Sequence, residues 1–257
     1  MKHLVLTVTP DSSIQLLKEY ADVVILDDVP QFKAQYYDTI YIRSHFATPG
    51  LAPQDFQVQI ESIVKQLLAI NPHIRAIDQM STVEQIVTFE DKFNQYELFS
   101  GFFPKTLLYQ NPSDIAQFAR PIYKKRVSSR GAGVTWDQNV ASSESNEWLI
   151  QESLDIDEEL RVYVIRGLVH PVAAVHKSLT ATQRVEVSNS RALTEKEIEY
   201  ASQLMQQAPQ IDIAGIDMAR TKDGSYWVME VNRSPGFAKF FQSTGSNLAE
   251  KLYTSLS

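Results

Sequence analysis

Apolar and polar positions alternate most regularly in two runs near the C-terminus, Ile211 to Arg220 and Ser225 to Asn232. Between them stands Asp223-Gly224, a dipeptide suited to a two-residue turn with positive φ angles, so the pattern predicts an antiparallel hairpin. With that loop Lys222 faces Ser225, and counting back along both strands puts Asp217 opposite Glu230. Side chains alternate across a strand, so Asn232 shares Glu230's face and Gly215, opposite it, leaves open space above the backbone. Ile216, Met218, Trp227, Met229 and Val231 fall on the other face as core.

The rest of the chain divides by the same reading. Residues 3 to 9 alternate into a strand, and Asp11 or Ser12 can cap a short helix reaching about Tyr20. Val23 to Leu26, Thr39 to Ile42 and Ile74 to Ile77 read as further strands, and Ala52 to Ile70 as an amphipathic helix stopped by Asn71-Pro72. Alternating strands and helices of this kind predict a small open α/β domain over residues 1–88. It has no G-x-G-x-x-G turn, so no dinucleotide site is indicated. Arg43 and His45, just past a strand's carboxyl end, stand where open sheets hold ligands, or in a solvated loop.

Phe89 to Ser100 has aromatic residues at helical spacing, with Thr88 as cap and Gly101 as stop, and Lys92 in its first turn. Ile122 to Val127 reads as a strand running into Ser128-Ser129-Arg130-Gly131-Ala132-Gly133-Val134, and Trp148 to Gln151 as a short apolar strand. A second hairpin turns about Arg166-Gly167, with Arg161, Tyr163 and Ile165 on one face. Thr180 to Arg191 is polar and reads as a loop. Thr194 with Glu197 forms a capping-box pattern for a helix to about Gln207, and a last helix runs from about Ser246 to Leu256.

Composition narrows the chemistry. The 257 residues, 44% hydrophobic and 21% charged, fit an ordinary globular protein of one large or two smaller domains. A formal charge of -7 and a pI of about 5.3 argue against nucleic acid as a partner. With no cysteine, disulfides, thiolate zinc sites and cysteine nucleophiles are excluded together, and the five histidines show no metal-ligand spacing. No apolar run approaches a membrane span and no cleavable signal pattern opens the chain, so a cytoplasmic protein without a membrane partner is expected.

Two carboxylates facing each other in a ladder repel unless something offsets them. A hard divalent cation would, since Mg²⁺ takes one or two protein carboxylates and completes its shell with water and phosphate. Solvation, or pairing with Arg220, Lys222 or Arg233, is the plainer alternative. Lys92 sits unfavourably beside a helix N-terminus with no acid at pairing distance along its helix, so it either reaches an outside anion or is solvated. The Ser-Gly loop lets backbone N–H groups approach phosphate oxygens, with Arg130 adding charge, although a lone G-x-G is most often a turn. Asp155, Asp157, Glu158 and Glu159 form an acidic run able to hold ribose hydroxyls or to lie in solvent. His176, Lys177, Arg184, Asn189 and Arg191 stand where anionic or peptide substrates could be met, or on the surface.

Taken in order, these features resemble the ATP-grasp superfamily, and within it the RimK-like carboxylate-amine ligases. The likeness rests on a lysine early in a helix, a lysine strand leading to a small-residue loop, a strand ending in Gln151-Glu152, an Arg-bearing hairpin, and GID followed by EVNRSPGF. It covers roughly Phe89 to Leu256. It implies an α/β chain in which the small N-terminal domain is followed by an ATP-grasp domain over 89–257, made of two α+β subdomains clasping the nucleotide. By matching motifs it makes Asp217, Glu230 and Asn232 the ligands of Mg²⁺, with Mn²⁺ as a substitute. Lys92 and Lys124 resemble the two phosphate lysines, Lys124 preferred to Lys125 by its spacing to Gly131. Ser128, Ser129, Arg130 and Gly131 line the phosphates, and Gln151, Glu152 and Leu154 the adenine. Asp155 or Glu159 takes the ribose, and Ser234-Pro235-Gly236 resembles the acceptor-side turn. Arg161 matches an arginine that approaches the phosphates or the acyl group, and with Lys124 and Asn232 it forms the expected catalytic set.

The implied reaction turns a carboxylate into an acylphosphate with ATP and joins it to an amine, releasing ADP and phosphate. Small molecules, peptides and protein tails are all open as substrates, and a homo-oligomer is allowed. Phosphoryl transfer to a hydroxyl, and a nucleotide-binding module without chemistry, are the alternatives.

Overall fold

The computed structural model describes residues 1–8, 11–26, 32–43, 53–128, 133–139, 146–177 and 186–256. Three sheets organise them. The first is parallel and four-stranded, in the order β2 (Asp22–Ile25), β1 (His3–Thr7), β3 (Thr39–Ile42), β4 (Arg75–Ala76). Leu4, Leu6, Ile40 and Ile42 point to α2 (Pro53–Ile70), while Val5 and Tyr41 point the other way, and all are buried. Both faces are covered, as parallel sheets require.

The second sheet carries β9 (Ile156–Ile165), β10 (Leu168–Val169), β11 (Val172–Lys177), β12 (Glu186–Ala192), β13 (Ile213–Thr221) and β14 (Tyr226–Asn232). Its order is β12-β11-β9-β13-β14, with β10 folded back on β9. Leu160, Val162, Ile216, Met218, Val228 and Val231 continue the core begun by the parallel sheet, so the two sheets share one apolar interior. A third sheet, ordered β5 (Thr106–Leu108), β8 (Trp148–Glu152), β6 (Pro121–Lys125), β7 (Val134–Thr135), has its own small core of Tyr109, Phe118, Tyr123, Trp148 and Ile150.

The C-terminal hairpin forms, and Asp217 does face Glu230, but through two compensating departures from the simple count. The loop holds three residues, Lys222, Asp223 and Gly224, closed by Thr221 N–H to Ser225 O at 2.9 Å with Gly224 at φ +85. An added loop residue shifts the register by one and would flip every later side chain to the wrong face. A β-bulge between Asp217 and Met218 then leaves Met229 extra on β14 and restores the pairing. Between loop and bulge the faces are exchanged. Val228, rather than Trp227 or Met229, enters the core.

The segment 83–100 is two helices rather than one starting at Thr88. α3 (Val83–Glu90) has a capping box from Thr82 and Gln85, and α4 (Lys92–Leu98) begins afresh after Asp91. Asp91 is extended at ψ 119, and its carboxylate accepts from Phe93 N–H at 2.8 Å and from Arg126 Nη2 at 2.6 Å. That carboxylate ends one helix and starts the next, placing Lys92 at the first position of α4.

The N-terminal helix is short, α1 (Ile14–Leu17), and Ser13 at its cap position makes no side-chain cap; its hydroxyl accepts from Phe237 N–H instead. Part of the polar stretch expected as a loop is strand β12, its zigzag matched to β11. α5 (Glu195–Gln206) carries the expected capping box of Thr194 and Glu197. α6 (Ala238–Thr244), not anticipated, precedes α7 (Leu248–Leu256). Among the described residues no helix is long and apolar enough to cross a membrane.

Arg43 is not solvated. It is fully buried, donating to Asp11 Oδ2 at 2.9 Å and to Pro235 O at 2.6 Å, and so ties the end of β3 to the turn after β14. His45 lies outside the described residues. Above Gly215 there is no open space, because a Cβ there would come within 2.7 Å of Pro235 Cβ, a rigid ring atom. Gly215→Ala is therefore expected to lower stability by about 1–3 kcal/mol through overpacking. Urea unfolding checks this; an unchanged midpoint would show that the turn yields freely.

Candidate active site

The acidic hairpin face meets cations from two other elements. Asp217 on β13 pairs with Arg161 on β9 on one side and with Glu230 on β14 on the other. Arg161 grips Asp217 through Nε to Oδ1 and Nη2 to Oδ2, both at 2.7 Å, and Asn232 Nδ2 reaches Oδ2 at 3.3 Å. At the far end Lys92 Nζ stands 3.4 Å from Glu230 Oε1. It also donates to Ser128 O at 2.6 Å and lies 3.2 Å from Ser128 Oγ. The cations that could have neutralised the acids more simply are engaged elsewhere. Arg220 pairs with Asp157, Lys222 with Asp155, and Arg233 with Asp78.

Lys124 is buried on β6, and burial with the neighbouring Lys92 lowers its pKa to about 8 against the pull of Glu230, Glu159 and Asp217. Lys125, one residue on, faces the other way and lies 6.0 Å over the Trp148 ring. Glu159 stands two positions before Arg161 on β9. Burial and then Asp217 raise its pKa, and Lys124 opposes them. Arg161 keeps its charge firmly, since Asp217 more than overcomes the effect of burial.

Lys92, Lys124, Ser128, Glu159, Arg161, Asp217, Glu230 and Asn232 thus share one locality. Other expected residues do not join them. The Glu152 carboxylate accepts from the backbone N–H groups of Ala119 at 3.1 Å and Arg120 at 2.9 Å. Gln151 donates to Thr106 Oγ1 at 2.8 Å, and Leu154 is half-buried in the short link between β8 and β9. Asp155 is exposed and lies 3.1 Å from Lys222 at the hairpin tip, which separates it from Glu159. Ser129, Arg130, Gly131 and Arg184 lie outside the described residues.

Two further side chains belong here. Gln95 on α4 donates to Val231 O at 2.9 Å and accepts from Val231 N–H at 3.0 Å, completing the outer edge of β14 between Glu230 and Asn232. A polar residue one helical turn from Phe99 was the available signal. His176, opposite Glu159 on β11, has a lowered pKa from burial, and its Nε2 is buried without a hydrogen-bond partner among the described residues. A cleft of about 660 Å³ bordered by Asp78, Met80, Phe89 and Gln95 contains none of the expected site residues.

The donor set fits a hard divalent ion. Two carboxylates and one amide, all with oxygen donors, are what Mg²⁺ takes from protein when phosphate and water complete its shell. Among the described residues no three His, Cys, Asp or Glu side chains gather into a metal cage.

The model of the RimK-like ATP-grasp domain matches residues 104–256. Among curated proteins none matches this chain in sequence. Solved structures similar to it include the ATP-grasp ligase PsnB complexed with a phosphomimetic variant of its minimal precursor, Mg and ADP. That likeness has a TM-score of 0.71 and 16% identity, over 98% of this chain and 97% of that one. The macrocyclase MdnC of Microcystis aeruginosa, bound with precursor peptide MdnA, gives 0.68 and 17% over 99% and 100%. N5-carboxyaminoimidazole ribonucleotide synthetase of Thermotoga maritima gives 0.63 and 17%, over 99% of this chain and 76% of that one. At these identities the likeness to the solved structures is one of fold.

Lys124 holds its proton less tightly folded than unfolded, so between about pH 8 and pH 10.5 unfolding takes up protons and rising pH stabilises the fold. Urea unfolding across that window should show the wild-type chain gaining stability relative to Lys124→Met. Parallel curves for the two would mean that Lys124 is not desolvated.

Proposed function

The chain belongs to the RimK-like ATP-grasp family, and from that premise we propose that it is an ATP-dependent ligase that activates a peptide carboxylate and joins it to an amine. The observation that carries this reading is the convergence of Lys92 and Lys124 on a face bearing Asp217, Glu230 and Asn232. Facing acids flanked by buried cations suit a ligand that brings both a metal and phosphates. The peptide nature of the substrate is supported by the two similar ligases bound to precursors, whose lengths this chain matches almost fully, whereas it spans only 76% of the ribonucleotide synthetase.

In this reading ATP donates its terminal phosphoryl group to the carboxylate, and the amine then displaces phosphate from the acylphosphate to leave an amide. Bound Mg²⁺, or Mn²⁺ in its place, neutralises phosphate charge as the phosphoryl group moves. Asp217, Glu230 and Asn232 hold that ion. Lys92 and Lys124 bind the phosphates, together with Ser128, Ser129, Arg130 and Gly131. Lys92 is aimed by its position at the start of α4 and by Ser128 O, so it meets the phosphates without a large search of rotamers. Arg161 is the cation nearest the metal ligands and serves the phosphoryl or acyl oxygens. Gln151, Glu152 and Leu154 border the adenine, and Glu159 suits the ribose better than Asp155, whose carboxylate is exposed beside Lys222. The division into residues 1–88 and 89–257, straddled by α3, assigns the parallel sheet to the first unit and the two antiparallel sheets to the second.

The test is ADP release with Mg²⁺, ATP and candidate peptides, with mass spectrometry for loss of water from the peptide. Hydroxylamine trapping separates an acylphosphate from a phosphorylated hydroxyl. Asp217→Asn and Glu230→Gln should each lower kcat about 10²- to 10³-fold, the scale of losing one preorganised electrostatic contact to the transition state. Full turnover in either variant, or a hydroxylamine-stable phosphopeptide, would refute the ligase reading.

A further inference from the structure

Arg161 occupies both oxygens of a side chain that the proposed function assigns to the metal. The grip is bidentate, 2.7 Å at each end, and Asn232 adds a third donor to Oδ2. A guanidinium fork on a carboxylate is among the stronger charge-assisted contacts. Lys92 stands against Glu230 in a single, looser ion pair at 3.4 Å. A divalent ion approaching Asp217 and Glu230 therefore meets two protein cations on its own ligands, and like charges at such distances oppose its entry. A triphosphate changes the balance. It offers anionic oxygens that can accept the N–H groups of both side chains, freeing the carboxylates.

Resting on the ligase reading, we propose that Arg161 is an exchange cation. It competes with the metal for Asp217 and is drawn off by the phosphates, so that metal and nucleotide each strengthen the binding of the other. The same transfer carries the guanidinium from the metal ligand to the reacting phosphoryl group. Arg161 is thus delivered to the chemistry only when the nucleotide is in place. The coupling is reciprocal by thermodynamic necessity, so either ligand can be used to read it.

The experiment measures Mn²⁺ binding to the full chain by electron paramagnetic resonance of the free ion, with and without a non-hydrolysable ATP analogue. Without nucleotide, Arg161→Met should bind Mn²⁺ roughly tenfold more tightly than the wild type, within the usual range of coupling between sites. With the analogue present that advantage should shrink, because the phosphates have already displaced the wild-type arginine. Arg161→Lys, which keeps the charge and loses the fork, should fall between. Circular dichroism checks that the variants fold. If Arg161→Met does not, the Arg161 Nε resonance of the wild-type chain answers instead, and it should shift when Mg²⁺ and the analogue are added together. A folded Arg161→Met with unchanged or weaker Mn²⁺ affinity, or an Nε resonance indifferent to Mg²⁺ and analogue, overturns the exchange while leaving the ligase reading standing. Failure of the wild-type chain to bind the analogue at all overturns both.

Discussion

Asp217 and Glu230 face each other across β13 and β14, and Arg161 and Lys92 close the row from either side. Two carboxylates at the usual cross-strand spacing of about 5 Å, with an effective dielectric near 20, would repel by roughly 3 kcal/mol. The cations stand nearer, at 2.7 and 3.4 Å, so each acid is attracted to its own partner more strongly than it is repelled by the other. The row is close to neutral and only partly exposed. It can therefore exist without a bound ion and still present oxygen donors to one. A structural ion pair would need only one acid and one base; two adjacent acids flanked by two cations, spread over three strands and a helix start, form an arrangement suited to reorganisation by a phosphate-borne metal.

Everything nearby serves to keep that row in register. The three-residue loop alone would have turned Glu230 into the core, and the bulge at Met229 turns it back. β14 is the edge of its sheet, where unpaired backbone groups would leave the strand free to drift. Gln95 supplies one rung there, and Phe102 O, accepting from Val228 N–H at 2.8 Å, supplies another. Because Gln95 sits on the helix that also carries Lys92, the lysine and the acid it meets are fixed by one short element.

How much of this the sequence discloses depends on the range of the interaction. The hairpin is legible because alternation is local, and the facing of Asp217 and Glu230 survives because two one-residue departures cancel. Simple alternation puts Trp227 and Met229 in the core for the same reason, since they lie between the two departures. Aromatic spacing that runs across Asp91 makes it look interior to one helix, although Asp at a helix start is a common cap. Its pairing with Arg126, which favours the break, comes from the bend just past β6, 35 positions on. Strand β12 escapes notice because it is polar, and its position at a sheet edge leaves it fewer neighbours to announce it. The partners of the acids, Arg161 from β9 and Lys92 from α4, follow only from strand order and tertiary packing, which the sequence pattern does not encode locally.

The parallel sheet is joined to the C-terminal hairpin by charge as well as by core. Arg43, Asp78 and Arg233 are all fully buried, and Arg233 Nε lies 3.3 Å from Asp78 Oδ2 while its Nη2 donates to Ile42 O. Tyr41 Oη donates to Arg233 O at 2.6 Å, and Arg43 to Pro235 O, so the end of β3 holds two carbonyls, two residues apart, of the chain leaving β14. Burial raises the Asp78 pKa to about 6 even though Arg233 and the N–H groups of Ile213 and Asp212 favour its charge. Replacing such a pair by apolar groups is often neutral, whereas removing one partner strands the other at a cost of about 3–5 kcal/mol. The buried charges are accordingly weak as a source of net stability and strong as a constraint on geometry. What they constrain is the Ser234-Pro235-Gly236 turn, packed on Gly215 and reached by Tyr163 Oη at Gly236 O, directly beyond the last proposed metal ligand. The parallel sheet thus acts as a wall that fixes where the Ser234-Pro235-Gly236 turn lies relative to the row of charges, and Asn232 stands only two residues before that turn.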